Sequence, residues 1–277
     1  MAGLGRRLLL SSISTLVACS REGSRGAALD PPGIGHVDTS ARAPEIVPSK
    51  VARLVGSYPD HLAGFEGDTL VWIDGTRMPL GAAQPPRPFD EMLRFASIAD
   101  QLRQIYEPGP LRRPPPRDHS PGRLRNTAFF LKMYGDCRNG DVGPQLRHVI
   151  WMPRTSAQAL SVTTVNDVAA RLERVIAALE DMPDRLKAYL VSSAGAYHCR
   201  AVTDTGQPSM HAFGAAIDIA ARYSDYWVWA RSRGELVHRN RIPQEIVEAF
   251  EAERFIWGGK WYHYDTMHFE YRPELFA

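Results

Sequence analysis

The stretch Ser209–Ala220, SMHAFGAAIDIA, sets a histidine seven residues before an aspartate, with small apolar residues between them. Gly214 permits a turn or a close backbone approach just after His211. AAIDI then reads as a strand, with Ile217 and Ile219 on one face and Ala216, Asp218 and Ala220 on the other. Asp218 therefore shares its face with small side chains that leave room above it. A carboxylate in such a place needs a partner, because an unpaired buried charge is costly. A metal ion, an arginine or a backbone cap would each serve, and this stretch alone leaves the three open.

A second stretch, Gly258–Leu275, GGKWYHYDTMHFEYRPEL, adds Asp265 three residues before His268. Positions three apart on a regular strand face opposite sides, so either the chain bends between them or Asp265 precedes the strand. Phe269 is then a core position, and Glu270 either orients His268 or sits at a rim. Read alone, the stretch also fits a hydrogen-bonded Asp/His pair on a surface hairpin. Read together, the two stretches supply His211, Asp218 and His268 as ligands. Three protein ligands with a fourth position open is the catalytic zinc pattern. Nitrogen and oxygen donors without thiolate suit zinc, and also manganese, cobalt or iron. His36, His61, His119, His148 and His238 sit among polar or loop-like neighbours and read as surface residues. His263 is a weaker rim candidate.

The chain of 277 residues is 44% hydrophobic and 23% charged, as globular proteins are. No apolar run is long enough to span a bilayer. A net charge of +2 gives no electrostatic case for a nucleic-acid partner. The first residues, MAGLGRRLLLSSISTLVACS, read as a leader over 1–18: Arg6 and Arg7, a short apolar region, then small residues. LVAC, Leu16–Cys19, is similar to a bacterial lipobox, which implies cleavage before Cys19, lipid on its sulfur and a cell-envelope or periplasmic location. An ordinary signal peptide with an incidental Cys19 is the plainer alternative. The leader takes both of its arginines with it, so the mature chain is close to neutral. Cys137 and Cys199 remain, and in an oxidising compartment two cysteines can pair.

Residues 19–45 are rich in Gly, Pro, Ser and Ala and read as a flexible tether. Residues 46–107 read as a small N-terminal module. In it TLVWIDGTRMPL forms a hairpin about Asp74-Gly75, and FDEMLRFASIADQLRQIY forms a helix. Residues 108–124 carry consecutive prolines and several arginines and read as a solvated linker. Beyond it lie a strand in LRHVIWMP and a helix in TTVNDVAARLERVIAALEDMP, capped by Asn166 or a nearby Thr. IPQEIVEAFEAE gives a second helix, and 214–220 and 267–271 give further strands. Helices and strands alternate without a βαβ rhythm. The expected fold is α+β, a largely antiparallel sheet with packed helices.

SMHAFGAAIDI followed by DTMHFE resembles the M15 family of zinc peptidases, and Tyr197–Arg200, YHCR, resembles that family's arginine motif. FIWGGKWYHYDTMHFEYRPEL is most similar to the subgroup with L-alanyl-D-glutamate endopeptidases. The resemblance covers roughly residues 125–276 and implies a Hedgehog/DD-peptidase-like domain over 125–277. It implies one zinc held by His211, Asp218 and His268, Asp265 as general base, and Arg200 stabilising the oxyanion in a dry site. Ser209, Tyr197 and Trp261 become candidate substrate contacts, and Glu270 a support for His268. Tyr226, Trp227 and Trp257 are groove or core aromatics. The implied substrate is a peptidoglycan stem peptide cleaved at L-Ala-D-Glu. The alternatives are D-alanyl-D-alanine carboxypeptidase or dipeptidase action at the same site, and a non-catalytic wall-binding lipoprotein. That last protein would have no use for Asp265 or Arg200.

Overall fold

The structure, a computed structural model, describes residues 48–81, 87–231 and 236–276. The leader, Cys19, the whole 19–45 tether and residues 46–47 of the N-terminal module lie outside the described residues. Among the described residues no helix is long and apolar enough to cross a membrane.

Helix α1 (Pro48–Ser57) buries Val51 and Leu54, one turn apart. Strands β1 (Leu62–Glu66), β2 (Thr69–Trp72) and β3 (Arg77–Pro79) follow as an antiparallel meander. The helix expected across Phe89–Tyr106 is instead two short ones, α2 (Phe89–Phe95) and α3 (Ile98–Gln101). Ala96 is extended, and Ser97 and Asp100 form a reciprocal capping box that restarts the chain. The apolar spacing runs on through this break and conceals it.

Helix α4 (Thr127–Tyr134) is capped by Asn126. Strands β4 (Leu146–Trp151) and β5 (Gln158–Thr163) pair antiparallel, and α5 (Val168–Glu180) packs on both. No side chain caps α5. Asn166 and Asp167 instead enter it in the left-handed region, with φ of 55° and 59°. Short helices α6 (Asp184–Lys187) and α7 (Trp227–Arg231) flank strand β6 (Ala216–Asp218). Helix α8 (Gln244–Ala252) then leads into β7 (Phe255–Trp257) and β8 (His268–Tyr271). The last sheet has the order β6-β8-β7 and is antiparallel throughout. The described part is thus α+β, with small antiparallel sheets and packed helices.

One apolar core joins Val51, Leu54 and Tyr58 to Trp151, Phe250, Phe269 and Phe276. The boundaries expected at 107/108 and 124/125 run through it. Ser120 and Leu124 are buried, and the Pro121 carbonyl accepts the Trp261 indole N–H at 2.6 Å. The Gly122 carbonyl accepts an Arg272 N–H at 2.8 Å. The second half of the Pro/Arg segment is therefore a strap laid on the body rather than a solvated linker.

Cys137 and Cys199 form a disulfide, with Cα atoms 5.7 Å apart. It fastens the turn after α4 to the segment that precedes the Ser209 stretch. Closing a loop of this length is worth roughly 4 kcal/mol on the chain-entropy view. A Cys137→Ser/Cys199→Ser variant is expected to lose about 2–4 kcal/mol of stability in denaturant titration. An unchanged midpoint would show that the bridge constrains nothing.

Candidate metal centre

His211 lies in a single 3-10 turn, Met210–Phe213, that Ser209 begins and Gly214 ends. The Ser209 hydroxyl accepts the His211 backbone N–H at 3.4 Å. Gly214 closes the turn at φ 68°, where a Cβ would stand 2.7 Å from Leu146 Cδ2 and 3.0 Å from the Thr163 nitrogen. Glycine here meets both a left-handed backbone and a close approach. The chain then enters β6, which pairs with β8 so that Asp218 stands directly opposite His268. Asp265 precedes β8: its carbonyl accepts the His268 N–H at 3.3 Å, which closes the turn into the strand.

Three side-chain atoms converge. His211 Nε2 lies 3.2 Å from Asp218 Oδ1 and 3.1 Å from His268 Nδ1, and His268 Nδ1 lies 3.0 Å from Asp218 Oδ1. Ligand atoms on a common tetrahedral zinc, each about 2.0–2.1 Å away, stand roughly 3.3 Å apart. The outer ring nitrogens fix the tautomers. His211 Nδ1 donates to the Ala196 carbonyl at 2.5 Å, and His268 Nε2 donates to Glu270 Oε2 at 2.9 Å. With those protons placed outside, two imidazole lone pairs and a carboxylate oxygen face one another. Only a cation reconciles them, either a proton or a metal ion. Asp218 is the most exposed of the three, at 19% of its side chain against 4% and 9%, so the cluster opens beside it. This donor set fits a zinc-type ion with an open position.

Electrostatics describe the competition with protons. Burial disfavours the charged form of His268, but hydrogen bonds to Asp218 and Glu270 outweigh it and raise the imidazole to about 10. Burial would likewise raise Asp218, yet its bonds to the two histidines hold it well below the ordinary carboxylate range. Glu270 is held at about 2: the His268 bond and the Arg125 and Arg272 charges overcome its burial. Asp265 moves the other way. Burial raises it to about 6, against the pull of His268 and with the push of Asp218. Its Oδ1 is buried and has no hydrogen-bond partner among the described residues.

Residues 203–271 match a family model described as D-alanyl-D-alanine carboxypeptidase, of the M15 peptidases. Over that segment the chain is similar to this family. No curated protein and no solved structure matches it. The matched segment holds the three converging residues together with Asp265 and Glu270, and it begins after Arg200.

The other candidate residues are placed less simply. Arg200 is exposed rather than set in a dry pocket, and its carbonyl accepts the Ser209 N–H at 3.1 Å. Ser209 is buried and bonded to the turn, so it supports His211 rather than meeting substrate. Tyr197 is half-buried and tied to β5 by its N–H to the Ser161 carbonyl. Trp261 is 3% exposed, with its ring centroid 5.5 Å from that of His268, so it is a wall of the centre. Tyr226 pairs with Asp265 in an isolated antiparallel bridge, and Trp257 is core. His263 packs against Trp227, ring centroids 4.4 Å apart.

Sequence reading missed Arg125, Arg272 and Arg123. Arg125 lies 3.7 Å and Arg272 2.9 Å from Glu270. The guanidinium of Arg123 lies 5.4 Å over the Trp261 ring. A signal for Arg272 was present: His268, Glu270, Arg272 and Glu274 alternate with Phe269 and Tyr271. The same period of two that marks a strand therefore carries a row of charge on one face.

Calorimetric titration with Zn²⁺ is expected to give one site per chain, absent in His211→Ala. Binding should release protons, because the metal displaces those the cluster holds, so affinity rises with pH. An enthalpy that does not vary with buffer ionisation would contradict this.

Proposed function

We propose that the chain is a zinc-dependent peptidase that hydrolyses an amide bond in peptidoglycan stem peptides. The observation that carries this reading is the convergence of His211, Asp218 and His268 beside a buried, unpartnered Asp265 oxygen. When bound there, zinc supplies Lewis acidity toward a water and toward a carbonyl oxygen.

The chain's own residues do the rest. Glu270 and the Ala196 carbonyl hold the two imidazoles in the tautomers that present lone pairs inward. Asp265 takes a proton from the attacking water and returns it to the leaving amine. Water is consumed, the C–N bond breaks, a C–O bond forms, and no side chain is acylated. Arg200, at the exposed edge, meets the developing oxyanion once substrate covers it.

Export supports the substrate. The leader, the lipobox at Cys19 and the Cys137–Cys199 disulfide all suit an oxidising envelope compartment, with the chain anchored to the membrane by lipid. Digestion of purified peptidoglycan, read by mass spectrometry, should release peptide or D-alanine products that disappear with chelator and return with zinc. Intact muropeptides in every condition would overturn the reading.

Asp265→Asn should lower kcat/KM by roughly 10²–10⁴-fold while zinc stays bound. Asp265 must be ionised to accept a proton, so activity is lost as pH falls through its pKa. Burial, set against the neighbouring charges, puts that at about 6, and a metal cation in the cluster draws it lower. The acid limb of the kcat/KM profile should therefore lie at or below pH 6. A limb above that value would remove Asp265 from the base role.

A further inference from the structure

Arginines surround the centre, but they are not equivalent. Arg272 and Arg125 are committed to Glu270, and Arg272 also to Glu274. Arg123 comes from the Pro/Arg strap, is half-buried, and has no ion pair among the described residues. Its position is nonetheless fixed. Its backbone N–H donates to the Ser120 carbonyl at 3.0 Å, and its guanidinium lies over Trp261. Trp261 is itself pinned by the Pro121 carbonyl and packs on the metal ligand His268. Arg123 is thus one indole removed from the centre. Its charge also reaches Asp265 and the Tyr226 hydroxyl, so it faces the side where the base works. A half-buried guanidinium favours an anion, and among the described residues no carboxylate lies within ion-pair distance of it. A planar fork stacked on an indole suits a carboxylate, which it grips with two parallel hydrogen bonds.

We propose that Arg123 receives the α-carboxylate of the substrate residue whose amine is the leaving group, and so selects the bond that is cleaved. This rests on the peptidase reading above. Two bonds of a stem peptide present that chemistry. In D-Ala-D-Ala the terminal residue has a free α-carboxylate. In L-Ala-γ-D-Glu the glutamate continues through its side chain, which leaves its α-carboxylate free beside the scissile amide. Arg123 would accept either and reject the corresponding amides. Arg200 is exposed, and its charge also reaches Tyr226, which leaves it for the oxyanion.

The test uses the zinc-loaded full chain and two pairs of probes. One pair is an N-acetylated peptide ending in D-Ala-D-Ala and its C-terminal amide. The other is an L-Ala-γ-D-Glu-L-Lys peptide and its α-amide. Wild type should favour the acid of at least one pair by roughly 10–100-fold in kcat/KM, and the pair that responds identifies the source. Arg123→Gln should bring the ratio near one, mainly through KM. Arg123→Lys should restore part of it, and Arg200→Gln should slow acid and amide alike and leave the ratio intact. Thermal melts and zinc content of each variant report folding. No acid preference in wild type, or equal losses for acid and amide in Arg123→Gln, would overturn the proposal. If wild type turns over neither pair, the peptidase reading fails. Calorimetric binding of the same probes to Asp265→Asn then decides the Arg123 claim by itself: acid bound tighter than amide supports it, and equal affinity overturns it.

Discussion

The hydrogen bond from His268 Nε2 to Glu270, 2.9 Å long, decides which nitrogen of that imidazole faces Asp218. Were it broken, the ring would be free to place a proton inward and pair with Asp218 as an ordinary buried ion pair. With the bond in place, a neutral His268 turns its lone pair inward, and the inner nitrogen meets Asp218 only through a shared cation. The antiparallel register that sets Asp218 opposite His268, and the turn that brings His211 to both, then create a focus of lone pairs. Such a focus is stable only around a cation, a proton or a metal ion.

Glu270 must itself be held ionised in a place from which water is excluded. Arg272, with no exposed surface, does this, and Glu274 takes its other side at 2.7 Å. Glu274 is held in turn by the N-terminal stretch. The Tyr58 hydroxyl donates to it at 2.7 Å and the Gln101 amide at 3.3 Å, while Arg53 bonds its carbonyl at 2.9 Å. Tyr58, Gln101 and Arg53 therefore brace His268 through a continuous row of buried charge. Removing one partner of such a row strands the others, which makes it costly to break at any point.

The converging residues His211, Asp218 and His268 were legible in the sequence because local chemistry marks them. A period of two in AAIDI and HFEYR, a glycine at the turn, and an acid before His268 are visible without knowing the fold. The remainder depended on distant contacts. Pro121 and Gly122 are buried by Trp261 and Arg272, which lie 140 and 150 residues further on, so a segment with the composition of a linker becomes a wall of the site. Arg123 was invisible for the same reason. The break at Ala96–Ser97 was hidden by apolar spacing that continued across it. Arg200 illustrates the converse: motif position located the residue, but not its exposure.

The central claim is that two imidazoles and one carboxylate, with no thiolate, hold the metal. Zinc K-edge X-ray absorption on the zinc-loaded full chain tests it most directly. The account predicts a nitrogen/oxygen shell at about 2.0–2.1 Å with outer scattering from two imidazoles, falling to one in His268→Ala. Sulfur scattering at about 2.3 Å, or an imidazole signal unchanged by that substitution, would contradict it.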